Sequence, residues 1–181
     1  MDIINLFDKD VTMNAVLYII QQMGGKVDMH KIFKTLYFAD QEHLSEYGRT
    51  ITGDVYIAMN YGPVPSKTDD IFKAVRGDSY FQPGEFKSMF HFVNRFFVVA
   101  DMTPDMDYLS VSDRKCLDNS IDKCKDLSFI ELTNLSHGLA WESTKKDQRM
   151  TYSDILSEKG DSEEYIDYIT QTMELESSFR Q

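Results

Sequence analysis

Residues 34–66, KTLYFADQEHLSEYGRTITGDVYIAMNYGPVPS, constrain the fold more than any other part of the chain, because three differently patterned elements follow one another there. An amphipathic helical pattern ends at Tyr47-Gly48-Arg49, and a β-branched and aromatic run extends from Thr52 to Met59. The segment Tyr61-Gly62-Pro63-Val64-Pro65 then predicts a rigid turn, because proline cannot continue a central strand. Such a close succession of elements predicts a compact module.

The length and composition favour a single domain. A chain of 181 residues with 42% hydrophobic side chains can bury a sizeable core, and it suits one domain better than two. No stretch approaches the roughly 20 consecutive apolar residues of a membrane helix. The first ten residues, MDIINLFDKD, carry acids where a signal peptide would carry Lys or Arg. We therefore expect one domain over residues 1–181, in a cytoplasmic protein that makes no membrane contact.

Capping residues and helical spacing predict most of the other elements. A first helix begins near Val11 with Thr12 as its cap, and it stops at Gly24-Gly25. The most regular helix extends from the N-cap Asp28 to Gly48. Five pairs of a capping oxygen and a carboxylate three residues later predict further helix starts. These are Ser66 with Asp69, Ser110 with Asp113, Ser128 with Glu131, Thr151 with Asp154, and Asp161 with Glu164.

Two regions have the composition of β-strands. Residues 54–59 predict one strand, and the runs FKSMFHFV and FFVVADM, separated at Asn94-Arg95, predict a hairpin within residues 86–102. Because an isolated hairpin is only marginally stable in water, we expect the strand at 54–59 to join it in one sheet. The predicted fold class is α+β, mainly α, with about six or seven helices and a small antiparallel β-sheet or hairpin.

The charge is unevenly distributed along the chain. Residues 1–100 carry 10 basic and 12 acidic side chains, whereas residues 101–181 carry 9 basic and 18 acidic ones. Such an acidic half repels nucleic-acid phosphates and attracts basic proteins, although a merely solubilising face is an equal alternative. We therefore expect no direct nucleic-acid binding, and a partner that is a basic protein.

Residues with the potential for catalysis or metal binding form no recognisable motif. Cys116 and Cys124 would lie about 12 Å apart on one helix, beyond disulfide reach, and they lack zinc-ligand spacing. His43, three residues after Asp40, could be a supported base or a surface hydrogen-bonding group. His137 is interpreted as a helix cap that packs against Trp141. We predict no catalytic residue, no cofactor and no metal; a small hydrolase or transferase using His43 or His137 is the least favoured alternative.

Several separated motifs together resemble one known family. They are the lead-in Gly24-Gly25-x-Val27-Asp28, the helix segment KIFKTLYFAD at 31–40, the link Tyr47-Gly48-Arg49-x-Ile51-x-Gly53-Asp54, the turn YGPVPS at 61–66, and Leu132-Thr133-x-x-Ser136-His137 followed by Trp141. This pattern resembles the Panacea or SocA-like family over residues 13–141, and it leaves the acidic helices of residues 142–176 outside. The resemblance implies a cytoplasmic antitoxin or a phage- and mobile-element-associated protein that forms an inhibitory complex with a protein toxin encoded by an adjacent gene. An alternative within the family is a proteolytic adaptor that delivers the toxin to a cytosolic AAA+ protease.

The resemblance also sorts the motif residues into two groups. Those expected to contact a partner are Asp40, Glu42, His43 and Tyr61. Those expected to be structural are Tyr37, Gly48, Arg49, Gly53, Gly62, Pro63, Pro65, His137 and Trp141. The turn at Tyr61 could equally serve only to orient the following helix, and Trp141 could be an interface anchor or a core residue. We expect partner specificity to lie on the acidic helices after residue 100.

Overall fold

The helices and strands account for most of residues 6–179, the part of the chain that the computed structural model describes. Within this range the helices are α1 (Lys9–Gln22), α2 (Met29–Tyr47), α3 (Ser66–Arg76), α4 (Val111–Cys124), α5 (Phe129–Ser136), α6 (Leu139–Glu142), α7 (Tyr152–Lys159) and α8 (Glu163–Phe179). The strands are β1 (Lys26–Asp28), β2 (Tyr56–Met59), β3 (Gly62–Pro65), β4 (Phe90–Phe92) and β5 (Phe97–Ala100). The predicted class, mainly α with small antiparallel sheets, is confirmed; the short helix α6 exceeds the predicted number of helices.

Helix α2 is the central element, and twelve of its nineteen residues are buried. It begins as predicted at Asp28, whose carboxylate accepts the backbone N–H of His30 at 2.8 Å. It ends as predicted at Gly48, which has a left-handed φ of 74°. One face of α2 packs against α1, α3 and the strand β5, and the other packs against α7 and α8. Both thiols of α4, Cys116 and Cys124, are buried and free.

Three of the predicted capping pairs are confirmed and three helix starts differ. Ser110 with Asp113 and Ser128 with Glu131 form reciprocal capping boxes, and Thr151 accepts the N–H of Asp154. Helix α1 is capped by Asp8 instead of Thr12, because Asp8 accepts the N–H groups of residues 10 and 11. Helix α8 starts after Ser162, whose hydroxyl accepts the N–H of residue 165, so the predicted Asp161–Glu164 pair is one residue early.

The cap of α3 comes from a distant residue. Ser66, the predicted cap, is itself the first helical residue, and the preceding Pro65 makes no side-chain capping bond. Asp54 supplies the acceptor instead: its carboxylate receives the N–H of Lys67 and of Thr68, both at 2.9 Å, and the Thr68 hydroxyl at 2.7 Å. A carboxylate at a helix N-terminus also interacts favourably with the helix dipole. Asp54 therefore fixes the start of α3 relative to the hairpin of β2 and β3.

The strands form two sheets, and the prediction of a single sheet was wrong. Strand β5 pairs antiparallel with β1 on one side and with β4 on the other. Strand β2 pairs with β3, so residues 62–65 form a strand instead of only a turn. The opposite edge of β2 bonds to residues 147–150, through Ala58 and Tyr56. Both edges of β2 are therefore occupied, and the hairpin of β4 and β5 pairs with β1 instead.

Candidate functional site

A buried carboxylate at the middle of α2 holds the link between α2 and β2. Asp40 is 2% exposed. Its Oδ1 accepts the N–H groups of Ile51 and Thr52, at 2.7 and 3.1 Å. Its Oδ2 accepts the hydroxyls of Thr52 and Tyr56. Burial raises the pKa of Asp40, and these donated hydrogen bonds oppose that rise. The expectation that Asp40 lies exposed to a partner was wrong, because the link folds back over this carboxylate.

A second polar cluster joins the end of α2 to the start of α4. His43 is completely buried; its Nδ1 lies 2.8 Å from the backbone oxygen of Arg49, and its Nε2 lies 3.1 Å from Oδ1 of Asp113. Arg49 donates to the same carboxylate oxygen at 2.8 Å. Burial alone would raise the pKa of Asp113, but the bonds from His43 and Ser110 and the charge of Arg49 hold it below the ordinary range.

His43 therefore joins two elements of the fold and does not face solvent. The sequence suggested that His43 is either a base supported by Asp40 or a surface hydrogen-bonding group. Neither is found, because its partners are the backbone of Arg49 and residues of α4. Both ring nitrogens of His43 have protein neighbours within hydrogen-bonding distance. Glu42, on the adjacent part of α2, is half-buried and accepts the side-chain amide of Asn119 at 2.6 Å.

A buried lysine lies beneath the β2–β3 hairpin. Lys34 has no exposed surface, and its Nζ donates to the backbone oxygen of Pro63 at 2.8 Å. Burial lowers the pKa of Lys34 to about 7. On the same face of α2, the hydroxyl of Tyr37 is buried without a hydrogen-bond partner among residues 6–179, and burial raises its pKa. The sequence carries a signal for this site, since Lys34 is the one charged residue between Ile32 and Ala39.

Close packing above Lys34 explains the glycine at position 62. Gly62 has a φ of 95°, and a Cβ there would lie 2.3 Å from Oγ of Ser136 and 3.0 Å from Nζ of Lys34. Pro63 provides the carbonyl for Lys34, and Pro65 precedes α3. Gly62 therefore allows the hairpin to approach both α2 and α5.

Two other motif glycines also lie at close approaches. Gly53, with a φ of 65°, would place a Cβ 1.9 Å from the backbone oxygen of Leu6. Gly48, at the end of α2, would place one 2.8 Å from Cδ1 of Ile169 on α8. Both positions combine a left-handed backbone with contact to a distant segment, so a side chain is excluded by conformation and by space.

An aromatic surface covers the tip of the β2–β3 hairpin. Tyr61 is 61% exposed and meets the ring of Phe129 edge-on, at 5.3 Å between centroids. Trp141 donates its indole N–H to the backbone oxygen of Met59 at 2.9 Å. The ring of His137 stacks on Trp141 at 3.6 Å and 5°, which confirms their predicted packing. We call Met59, Tyr61, Phe129, His137 and Trp141 the hairpin-tip surface.

Two clefts border the hairpin-tip surface. The smaller, of about 300 Å³, lies beside Trp141 and is lined by Met59, Asn60, Glu142 and Lys146 among others. The larger, of about 560 Å³, lies between the start of α2 and the start of α5. Its lining mixes charges of both signs; the lining lysines are Lys26, Lys31 and Lys125, and the lining aspartates are Asp28 and Asp126. The larger cleft therefore has no strong preference for one sign of charge.

The C-terminal helix carries an acidic face at the other end of α2. Residues 163–179 contain five carboxylates and no Lys, Arg or His; the acids are Glu163, Glu164, Asp167, Glu174 and Glu176, and all five are exposed. The hydroxyl of Tyr165 donates to the backbone oxygen of Ser45 at 2.9 Å, which attaches α8 to the end of α2. Helix α8 is therefore held in a fixed position relative to α2, which also carries motif residues.

The described residues contain no arrangement with recognisable metal chemistry. Within residues 6–179, no group of three or more His, Cys, Asp or Glu side chains is placed to hold a metal ion. Over the same range, none of the helices combines the length and the apolar character needed to cross a bilayer. Two exposed features stand out on or beside the motif-bearing elements: the hairpin-tip surface and the acidic face of α8.

Comparison with known proteins identifies the family through these same elements. Neither the curated proteins nor the solved structures include a match. The family model described as "Antitoxin SocA-like, Panacea domain" matches residues 32–142, well over half of the 181 residues. The match begins in α2 and includes the Asp40 link, the β2–β3 hairpin, α5 and Trp141. The chain therefore belongs to the antitoxin SocA-like family, as its helix, link, turn and His137–Trp141 motifs had indicated.

Proposed function

We propose that this protein neutralises a partner toxin by binding it directly, and that the toxin is a basic protein encoded by an adjacent gene. Family membership supports an antitoxin-like role, and the hairpin-tip surface is the observation that carries direct binding. Tyr61 and Phe129 expose aromatic rings within the region that matches the family, and large aromatic side chains are frequent anchors of protein interfaces. Inhibition by covering a functional face of the toxin requires no catalytic residue.

The support beneath Tyr61 favours a binding role. The hairpin is held from below by the Lys34 bond to Pro63 and from the side by the Trp141 bond to Met59. A surface that is already rigid loses little conformational entropy when it binds. The cleft beside Trp141 could also receive a side chain of the partner, as anchor pockets at interfaces do.

Charge favours a basic partner over a nucleic acid. The net charge of the chain is −11, and the excess of acids lies in the half that contains α8. An acidic field raises the rate of encounter with a basic protein, and it repels phosphates. The charge therefore contributes mainly to the association rate, whereas the aromatic contacts at Tyr61 keep the complex together.

Co-expression with the product of the adjacent gene tests the proposal. We expect restored growth, a complex that purifies as one species, and at least about tenfold weaker binding for Tyr61→Ser, as for an interface anchor. Tyr80→Ser is the matched control, since Tyr80 is fully exposed on the loop after α3 and lies outside the proposed surface. If the two wild-type proteins neither bind nor show suppression of toxicity, the proposal fails.

The half-life of the toxin in the co-expressing cells separates direct neutralisation from proteolytic delivery. The half-life of the toxin is measured with and without this protein, in cells that have or lack the AAA+ protease. Direct neutralisation predicts an unchanged half-life and rescue in both backgrounds. Faster turnover of the toxin only when both proteins are present, together with loss of rescue without the protease, would replace the proposal with the adaptor function.

A further inference from the structure

Helix α8 carries an exposed apolar stripe that the family domain does not include. Tyr168, Leu175 and Phe179 are 65%, 61% and 86% exposed, and they lie beyond residue 142, where the family match ends. Their spacing, i, i+7 and i+11, with Thr172 at i+4, places them on one side of the helix. The buried positions Ile166, Ile169 and Met173 face the core from the other side. We call Tyr168, Thr172, Leu175 and Phe179 the α8 stripe.

Carboxylates border the α8 stripe on both sides. On a helix of 3.6 residues per turn, Glu164, Asp167 and Glu174 fall on one flank of the stripe and Glu176 falls on the other. None of these four carboxylates forms an ion pair with another group in residues 6–179. The stripe is therefore an apolar line bordered by carboxylates that form no ion pair within residues 6–179.

We propose that the α8 stripe binds a basic amphipathic helix of the partner toxin. Exposed apolar residues at i, i+7 and i+11, with the threonine at i+4 between them, follow the type of seam by which one helix packs against another. Charged residues beside such a seam select the partner. Acids on this seam select a helix with Lys or Arg beside its own apolar face. From Tyr168 to Phe179 the stripe extends about 17 Å, so a partner helix of about three turns would cover it.

The charge pattern argues against two other occupants. A second copy of this chain would bring two sets of carboxylates together, and like charges across an interface are costly. A lipid surface with anionic head groups would be repelled by the same carboxylates, since surface-binding helices are typically rich in Lys and Arg. A basic helix is the occupant whose charge complements the stripe.

The anchoring of α8 makes the stripe a rigid partner surface. Ile169 packs against Gly48, and Tyr165 bonds to the backbone of Ser45, so the helix is attached to the C-terminal end of α2. This end is about 20 Å along the helix axis from Lys34, which bonds to the hairpin of the hairpin-tip surface. The toxin would thus contact one surface within the family domain and a second one outside it, and the second can differ between relatives without altering the domain.

Binding of the full-length toxin to the full chain tests the inference, which rests on the proposed function. We expect the double variant Tyr168→Ser, Leu175→Ser to weaken the affinity about tenfold or more. We expect the variant Glu164→Lys, Asp167→Lys to slow association and to reduce its dependence on salt between 50 and 300 mM, because the steering charge is lost. Controls are Val111→Ser, an exposed apolar position on α4, and Asp70→Lys, an exposed acid on α3.

The outcomes distinguish the inference from the function on which it rests. If the wild-type protein binds the toxin and the stripe variants bind equally well, the inference is overturned and direct neutralisation stands. If the wild-type protein does not bind, the proposed function fails first. A photo-crosslinking residue in place of Leu175 should label a helix rich in Lys or Arg on the toxin; labelling of a second copy or of anionic vesicles would overturn the inference. Circular dichroism confirms that each variant is folded.

Discussion

Lys34 and Asp40 lie six residues apart on α2, and both are buried ionisable side chains, but their surroundings differ. Asp40 receives four hydrogen bonds from the link to β2, through Ile51, Thr52 and Tyr56. Among residues 6–179, Lys34 has one acceptor, the carbonyl oxygen of Pro63. A buried polar group with a full set of partners stabilises a fold, whereas one with few partners retains much of its desolvation cost.

The comparison indicates that the surroundings of Asp40 and of Lys34 have different roles; we call them the Asp40 end and the Lys34 end of α2. The Asp40 end closes the fold, because the buried carboxylate organises the chain between α2 and β2. The Lys34 end supports the hairpin-tip surface at a cost in stability. Functional surfaces often contain such costs. The variants below test whether the difference between the two ends is as large as the geometry indicates.

The largest effect is expected for Asp40→Ala. The substitution leaves four buried donors without an acceptor, so we expect the free energy of unfolding to fall by about 3 kcal/mol or more. Urea unfolding followed by circular dichroism measures the change. The control is Glu46→Ala on the same helix, an exposed acid whose partner is Lys115, and it should leave the urea midpoint nearly unchanged. An Asp40→Ala midpoint close to that of the control would show that the network contributes little.

A glycine at each end permits a matched comparison of packing. Gly53→Ala would bring a Cβ against the backbone oxygen of Leu6, whereas Gly62→Ala would meet only the side chains of Ser136 and Lys34. Backbone atoms have less room to move than side chains, so we expect Gly53→Ala to cost more. Gly77→Ala is the control for conformation alone, since Gly77 has a φ of 85° and nothing within 4 Å of its Cβ.

Backbone strain and overpacking together set the expected order of the three losses in unfolding free energy. Gly77→Ala should lower the free energy of unfolding by about 1 kcal/mol from backbone strain. Gly53→Ala should cost the same strain plus about 1–3 kcal/mol for overpacking. The cost of Gly62→Ala should lie between those of Gly77→Ala and Gly53→Ala. Urea midpoints of the three purified variants give the order directly. Equal midpoints for all three would mean that backbone strain is the whole effect and that the close approaches relax freely.

Local signals predicted α2 well, and long-range contacts explain most of the errors. The ends of α2 are set by Asp28 and Gly48, which lie next to the turns they control. The cap of α3 could not be found this way, because Asp54 is twelve residues upstream of Ser66 and a local Ser66–Asp69 pattern suggested otherwise. The two-sheet arrangement depends on residues 147–150 returning to β2, which no local pattern records.

The candidate site was predicted less well for a related reason. Asp40 and His43 were expected to be exposed because polar residues on a helix usually face water. Their burial depends on the link to β2 and on α4, both of which cover α2 only in the folded chain. Tyr61 is exposed as expected, at the turn between β2 and β3, and its contact with a partner stays a prediction. Phe129, the ring partner of Tyr61, lies far from it in the sequence, so no local pattern connects the two rings.

The pH dependence of stability gives the smallest and most specific test of the Lys34 end. The pKa of Lys34 is about 7 in the folded protein, and an ordinary lysine has a pKa of 10.5. At a pH between about 7 and 10.5, Lys34 is protonated in the unfolded chain and has lost that proton in the folded chain. The contribution of Lys34 to the free energy of unfolding therefore increases with pH above about 7, and below that pH the cost of burying the charge is fully present.

Lys34→Met should remove this contribution while keeping most of the side-chain volume. We expect the variant to be more stable than the wild type at pH 6.5 by about 1 kcal/mol or more, because no charge is buried. The difference should shrink as the pH rises to 8.5, since the wild type gains stability and the variant does not. Urea unfolding at pH 6.5, 7.5 and 8.5 measures both, with Lys67→Met, an exposed lysine of α3, as the control that keeps the wild-type slope. Parallel profiles for Lys34→Met and the wild type would mean that Lys34 is buried without the cost that distinguishes it from Asp40.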